Sequence, residues 1–241
     1  MSQRMEILAR GAQDLGLELT PHQLDLFEAY YRELADWNQR VNLTAITGYE
    51  EVQLKHFLDS LTVCQAAPVV AAAAMRVIDV GAGAGLPGLP LKLVFPDIHL
   101  AMVESVGKKA RFLEYLVAAL SLSGVEVLTG RAEELARQPR LRESFDLAVS
   151  RGVAKLPSLL EYTLPFCALG GQVAVWKRGG IEEEIADAAS ALGLLGGGRP
   201  KVFPVVLRGL ADGRVLLVVQ KIGPTPARYP RRPGIPEKRP L

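Results

Sequence analysis

The chain has 241 residues, 49% of them hydrophobic, and its 28 basic and 26 acidic side chains leave a formal net charge of +2. That apolar content can bury a substantial core in one domain with an extension or in two small ones, and so small a charge does not demand a nucleic-acid partner. No window of 18 residues is wholly apolar, and Arg4, Glu6 and Arg10 stand where a signal peptide would need its apolar core, so a cytoplasmic location without membrane spans is expected.

The first 70 residues read as helical and distinct from the rest of the chain, an N-terminal subdomain over 1–70. Met5, Leu8, Ala12 and Leu15 recur at helical spacing and stop at Gly16, a C-terminal cap. Thr20, Pro21 and Gln23 spell a capping box with proline at the first helical position, and Leu24, Phe27, Tyr31 and Leu34 then make one apolar face. Thr47 and Glu50 predict a second box, opening a helix that carries Val52, Phe57 and Leu61. Between these helices, Trp37 to Thr44 is polar and turn-prone, either a plain connection or a substrate-facing loop that includes Asn42. His56 and Asp59 share a helix face at i and i+3, where they either orient each other around a ligand or sit in a packing seam. Cys64 and Cys167 stand apart from any CxxC pair or histidine, so neither a zinc site nor a disulfide framework is expected.

From Arg76 the pattern alternates strand and helix, which predicts a doubly wound α/β domain over 71–223 with strands near 76–81, 98–104, 125–129, 145–150 and 172–177. The apolar run Val77-Ile78-Asp79-Val80 passes into Gly81-Ala82-Gly83-Ala84-Gly85-Leu86-Pro87-Gly88, a buried strand turning into a helix with a ligand on the turn. Gly83, Gly85 and Gly88 satisfy the GxGxxG dinucleotide fingerprint. Asp79, Gly81, Gly83 and Gly85 satisfy the D-x-G-x-G-x-G pattern typical of S-adenosylmethionine-dependent methyltransferases. In either case Glu104, at the end of the next strand and 19 residues after Gly85, stands where a carboxylate can accept ribose hydroxyls. Lys108, Lys109 and Arg111 occupy the first turn of a helix predicted from Lys108 to Leu122. Cations there oppose the helix dipole, which points to an outside anion. Lys177 and Arg178 end the fifth strand on the same rim and are candidates for the same role.

After a helix near 181–192, the strand-like runs 202–207 and 215–219 flank Gly209 to Gly213, with Asp-Gly for a hairpin. A sheet finished by an antiparallel hairpin favours a methyltransferase over a nicotinamide-binding domain. The remaining residues, 224–241, form a tail whose five basic side chains from Arg228 onward lie among prolines. Such a composition builds no core and predicts a solvated extension or an arm that binds phosphates, with Arg231 and Arg232 as contacts alongside Lys238 and Arg239.

Asn42-Leu43-Thr44, His56-Phe57-Leu58-Asp59-Ser60, the glycine loop through Leu86-Pro87-Gly88, Gly107-Lys108-Lys109-Ala110-Arg111-Phe112-Leu113, Ser150-Arg151 and the Tyr229-to-Pro236 tail resemble, in order, the bacterial small-subunit (16S) ribosomal RNA guanine-N7 methyltransferases, first named glucose-inhibited division protein B. The resemblance spans about residues 37 to 241. It implies a Rossmann-like class I methyltransferase fold, S-adenosyl-L-methionine as cofactor, and the ribosomal RNA or small subunit as partner; separately, a monomer is expected. It puts cofactor contacts on Gly81, Leu86, Glu104, Ser105, Val106, Ala132, Glu133 and Arg151. Arg131 departs from the wider class, which commonly has an adenine-binding acid there; Glu133 or the Ala132 backbone is expected to substitute. Arg151 is expected to hold the methionine carboxylate or an RNA phosphate. Guanine N7 has a lone pair and no proton to lose, so no obligatory catalytic side chain is expected. Two other classes remain open: a nicotinamide-dependent oxidoreductase, although an obvious Tyr/Lys or His/Asp pair is lacking, and a non-catalytic ribosome assembly factor on the same fold.

Overall fold

Residues 5–67, 74–152 and 154–241 are described by the computed structural model of the protein. The domain boundary expected at 70/71 lies outside them. Helix α1 (Glu6–Asp14) ends at Gly16 as its spacing predicts: Leu17 N–H donates to Ala12 O at 2.8 Å and Gly16 N–H to Gln13 O at 2.9 Å, a Schellman cap. Helix α2 (Pro21–Val41) opens on the predicted box, Thr20 and Gln23 each accepting the other's backbone N–H, a cap of about 1 kcal/mol. Its buried seam is Phe27, Tyr30 and Leu34, while Tyr31 lies half-exposed against Tyr49.

The second box does not form. Helix α3 (Tyr49–Val52) starts from an extended Gly48 without a side-chain cap, and the Thr47 carbonyl accepts the Tyr31 hydroxyl instead. Helical backbone then continues through a π-helical segment, Gln53–Leu58, into α4 (Asp59–Leu61) and α5 (Val63–Ala66). The wider π turn falls where His56 is presented, a common association of such bulges with functional sites.

The remainder runs β1 (Arg76–Val80), α6 (Gly88–Val94), β2 (His99–Glu104), α7 (Gly107–Ala119), β3 (Val125–Thr129), α8 (Ala132–Leu135), β4 (Phe145–Arg151) and α9 (Leu156–Thr163). It continues with β5 (Cys167–Arg178), α10 (Ile181–Asp187), α11 (Ala189–Leu195), β6 (Lys201–Pro204), β7 (Arg214–Gln220) and α12 (Ile235–Lys238). The seven strands lie in the order β3-β2-β1-β4-β5-β7-β6. The first five are mutually parallel, and β7 runs antiparallel between β5 and β6, so the expected hairpin finish is present. The chain order reverses between β1 and β4. In open α/β sheets ligands bind outside the carboxyl ends of the strands at such a switch point.

Each face of the sheet is covered. On one, Phe27, Tyr30 and Phe57 share a core with Leu89, Met102 and Phe112, so the N-terminal helices pack directly on the sheet. On the other, Leu156, Leu160 and Phe166 pack with Ile78, Val103 and Tyr229. Tyr229 belongs to the tail, which corrects the expectation of a solvated arm. Arg142 donates to the carbonyls of Thr225 at 2.7 Å and Tyr229 at 2.9 Å, and Arg231 forks onto Glu161, which is fully buried. The cation that composition assigns to RNA here neutralises an interior carboxylate.

Candidate active site

The glycine loop is held from three sides. The Asp79 carboxyl, with no exposed surface, accepts the Gly88 N–H at 2.8 Å and ties the end of β1 to the start of α6. Gly88 has to be glycine, because a Cβ there would lie 2.9 Å from Asp79 Oδ2 and 3.0 Å from Asp79 Cβ. Burial pushes the Asp79 carboxyl up to about 7, the Gly88 N–H and the Arg151 charge opposing only in part. Asp79 is among the expected cofactor contacts; its carboxyl instead points into the loop's own interior and its Oδ1 has no partner among the described residues, so it braces the loop rather than lining the cleft. From the other side the Tyr30 hydroxyl donates to Ala84 O at 2.6 Å. Gly85 adopts φ +90°, and a Cβ on it would meet Leu89 at 2.4 Å and that hydroxyl at 2.9 Å.

Glu104 closes the third side. Its two carboxylate oxygens accept the N–H groups of Gly83 at 2.9 Å and Val106 at 2.7 Å, locking the end of β2 to the loop. Each oxygen retains a further acceptor site. Three adjoining cavities lie along this edge of the sheet, the middle one lined by Glu104. A small one of about 130 Å³ is lined by Gly81, Ser105, Ala132, Glu133, Tyr162 and Glu237. A middle one of about 360 Å³ carries Gly83, Leu86, Glu104, Lys109 and Arg151, with Gly81 and Ser105 shared with the first. An outer one of about 370 Å³ shares His56 and Arg151 with the middle cavity and adds Asp59, Trp176, Arg178 and Arg214.

Where the middle and outer cavities meet, a polar cluster is assembled from distant segments. Arg151 at the end of β4 and Arg214 at the start of β7 both pair with the buried Asp59 Oδ2, at 2.9 and 2.7 Å. Arg214 also forks onto Asp212, and the Trp176 indole N–H donates to Asp59 O at 3.0 Å. His56 Nε2 is 2.7 Å from Thr44 Oγ1, while Nδ1 is 3.3 Å from an Arg151 nitrogen. Burial, reinforced by the Arg151 charge, lowers the His56 pKa to about 4, so its ring is neutral at neutral pH.

Of the other candidates, Lys109 lines the middle cavity and Lys177 and Arg178 line the outer one. Asn42 takes a left-handed conformation, φ 50°, as the exposed C-cap of α2, directly before Leu43 and Thr44, which line the middle cavity. Lys108 and Arg111 are exposed and Lys109 half-exposed, and none has an ion-pair partner among the described residues. Lys177 is engaged with Glu184 at 2.6 Å and with Ala154 O at 2.8 Å, so its charge is already compensated. Arg178 and Arg232 are exposed. Val106 contributes its amide to Glu104 and presents its side chain outward, 47% exposed. Tyr30, Tyr162, Arg214 and Glu237 have no local signal in the sequence, since each acts across a long separation; for Asp59 the i, i+3 spacing from His56 is the signal.

The family described as GidB, rRNA small subunit methyltransferase G, matches residues 23–206. The ribosomal RNA small subunit methyltransferase G of Dehalococcoides mccartyi is 51% identical over 237 residues, 98% of this chain and 100% of that protein. The protein of the same description from Moorella thermoacetica is 51% identical over 241 residues and all of both chains. Among solved structures, a SAM-dependent methyltransferase from Aquifex aeolicus superposes with a TM-score of 0.51 at 19% identity, covering 71% of this chain and 93% of that one, a likeness of fold. The oxidoreductase alternative falls with these matches and with the antiparallel end of the sheet. A family match through most of the sheet, together with full-length relatives sharing half of all positions, is decisive: the chain belongs to the rRNA small subunit methyltransferase G family.

Proposed function

We propose that the protein methylates N7 of one guanine in small-subunit ribosomal RNA, with S-adenosyl-L-methionine as methyl donor. The observation that carries this reading is the run of adjoining cavities along the carboxyl ends of the parallel strands, passing from a small pocket, past an anchored carboxylate, to a cationic mouth. The residues fit such a cofactor. A Cβ at Gly83 would have no protein atom nearer than Gly81 O at 3.9 Å, so glycine leaves that room to a ligand. Glu104 has acceptor sites left for two ribose hydroxyls, and Ala132 and Glu133 line the pocket for the purine.

When bound, the cofactor supplies an electrophilic methyl group on a sulfonium. The chain's own task is alignment, because the acceptor nitrogen has a lone pair and no proton to remove. A neutral His56 keeps one more positive charge away from a purine that becomes cationic on methylation. Arg151, at the junction of the middle and outer cavities, is placed for the methionine carboxylate or a phosphate, with Asp59 holding its guanidinium in place. Lys108, Lys109, Arg111 and Arg178 supply the outer cations for RNA phosphates.

The test is incubation with labelled S-adenosylmethionine and unmodified small-subunit RNA, free and as ribosomal particles, followed by nucleoside mass spectrometry. N7-methylguanosine at one site is the expected product. A different methylated nucleoside would overturn the acceptor assignment, and cofactor binding without methylation of either substrate would favour a non-catalytic assembly role.

A further inference from the structure

The small cavity at the carboxyl ends of β2 and β3 is built in part by the last residues of the chain. Gly234 N–H donates to Glu133 Oε1 at 3.0 Å, and the Ser158 hydroxyl donates to Pro236 O at 2.7 Å. These two bonds seat the short helix α12 against α8 and α9, and Glu237 then lines the cavity with Tyr162, Ala132 and Glu133. The Arg231 fork onto Glu161 and the buried Tyr229 ring anchor the segment just upstream.

The cavity also contains Arg131, whose guanidinium donates hydrogen bonds and accepts none. An exocyclic amine bound there needs an acceptor from elsewhere. Glu133 accepts the Gly234 N–H on Oε1, which ties it to the tail and leaves Oε2 as the acceptor it can still offer. Among the described residues the Glu237 carboxylate has no hydrogen-bond or ion-pair partner, so both of its oxygens remain available.

We propose that the segment Gly234–Lys238 is a wall of the cofactor pocket and that the Glu237 carboxylate accepts a hydrogen bond from the exocyclic amine of the adenine. The inference rests on the reading of this cleft as an S-adenosylmethionine site. It gives the basic, proline-rich tail a role in cofactor selection in place of the phosphate-binding arm that composition predicts.

The test is titration calorimetry of the intact chain with S-adenosylhomocysteine and with S-inosylhomocysteine, in which a 6-oxo group replaces the amine. A hydrogen bond to a charged acceptor predicts that the adenine form binds at least about tenfold more tightly. In Glu237→Gln the amide can rotate and donate to the 6-oxo group, so the preference falls by about tenfold. A chain stopped after Arg232 keeps Tyr229 and Arg231; folded by circular dichroism, it binds S-adenosylhomocysteine at least about tenfold more weakly. An unchanged preference in Glu237→Gln, or equal weakening of both ligands, overturns the role of the carboxylate. Truncated-chain affinity within about twofold of the parent overturns the wall. If the intact chain binds neither ligand, the cofactor reading itself has failed, and this inference falls with it.

Discussion

Glu104 offers the most direct test of how the glycine loop and the cofactor are coupled. Its carboxylate accepts two backbone N–H groups, from Gly83 at 2.9 Å and Val106 at 2.7 Å, and the residue is only 5% exposed. Glu104→Gln keeps the size of the side chain but can accept only one of these donors, turning its NH2 against the other. Hydrogen bonds to a charged group contribute about 1.5–3 kcal/mol each, and a neutral replacement about half that. The folded state should therefore lose about 2–3 kcal/mol, read as a lower urea midpoint at unchanged slope. The ribose loses the same charged acceptor, so calorimetry with S-adenosylhomocysteine should show affinity falling by about 10- to 100-fold. The two effects separate, since affinity is measured at a temperature where the variant remains folded. A Glu104→Gln protein that binds within about threefold of the parent would refute the assignment of the ribose to this carboxylate.

Asp79 makes a prediction about pH. Its carboxyl is raised to about 7 in the folded protein, which retains a proton that the unfolded chain releases in the ordinary carboxylate range. Stability from this group is complete at low pH and is lost as pH rises through about 7. Asp79→Asn should therefore gain stability relative to the parent between about pH 5 and pH 8 in urea titrations; a constant difference would contradict the buried-carboxyl account. Arg231→Ala leaves the fully buried Glu161 without its cation, which should cost about 3–5 kcal/mol of unfolding free energy. An unmoved urea midpoint in that variant would return Arg231 to the RNA-binding candidates. Replacing Lys108, Lys109 and Arg111 together by alanine should lower the slope of log affinity for small-subunit RNA against log salt by about 0.7–0.9 for each phosphate no longer neutralised. Cofactor affinity should stay within about threefold, and an unchanged salt slope would mean that this face does not meet the RNA.

What the sequence conveys and what it withholds divide along the separation between interacting residues. Strands β1 to β4 and β7, the glycine turn, the Thr20 box and the Gly16 cap are decided by neighbours a few positions apart and stand where the pattern puts them, whereas the run expected as strand over 202–207 is strand only over Lys201–Pro204. The N-terminal half of β5 escapes the pattern because Ala168 to Gly171 has neither alternation nor β-branched residues, and pairing with neighbouring chain carries it instead. Thr47 fails as a cap although Thr47 and Glu50 have the right spacing, because a box also needs the chain to enter from the capping residue itself, and here it enters from Gly48. Arg214 reads as an ordinary solvated charge until the antiparallel pairing of β7 with β5 sets it opposite Arg178 and onto Asp59.

The tail is the most instructive misreading. Its shortage of apolar side chains suggests that nothing can hold it, which weighs only the gain side of ordering a segment. Six prolines from Pro224 onward already restrict the unfolded chain, so ordering it costs less conformational entropy than ordering a flexible segment of the same length. Under that reduced cost, one buried tyrosine, one fork onto a buried glutamate and a few carbonyls capped by Arg137 and Arg142 suffice to seat the segment. The same rigidity makes a proline-rich segment a better wall for a small pocket than a loose basic arm would be, since a wall must keep its position before the ligand arrives.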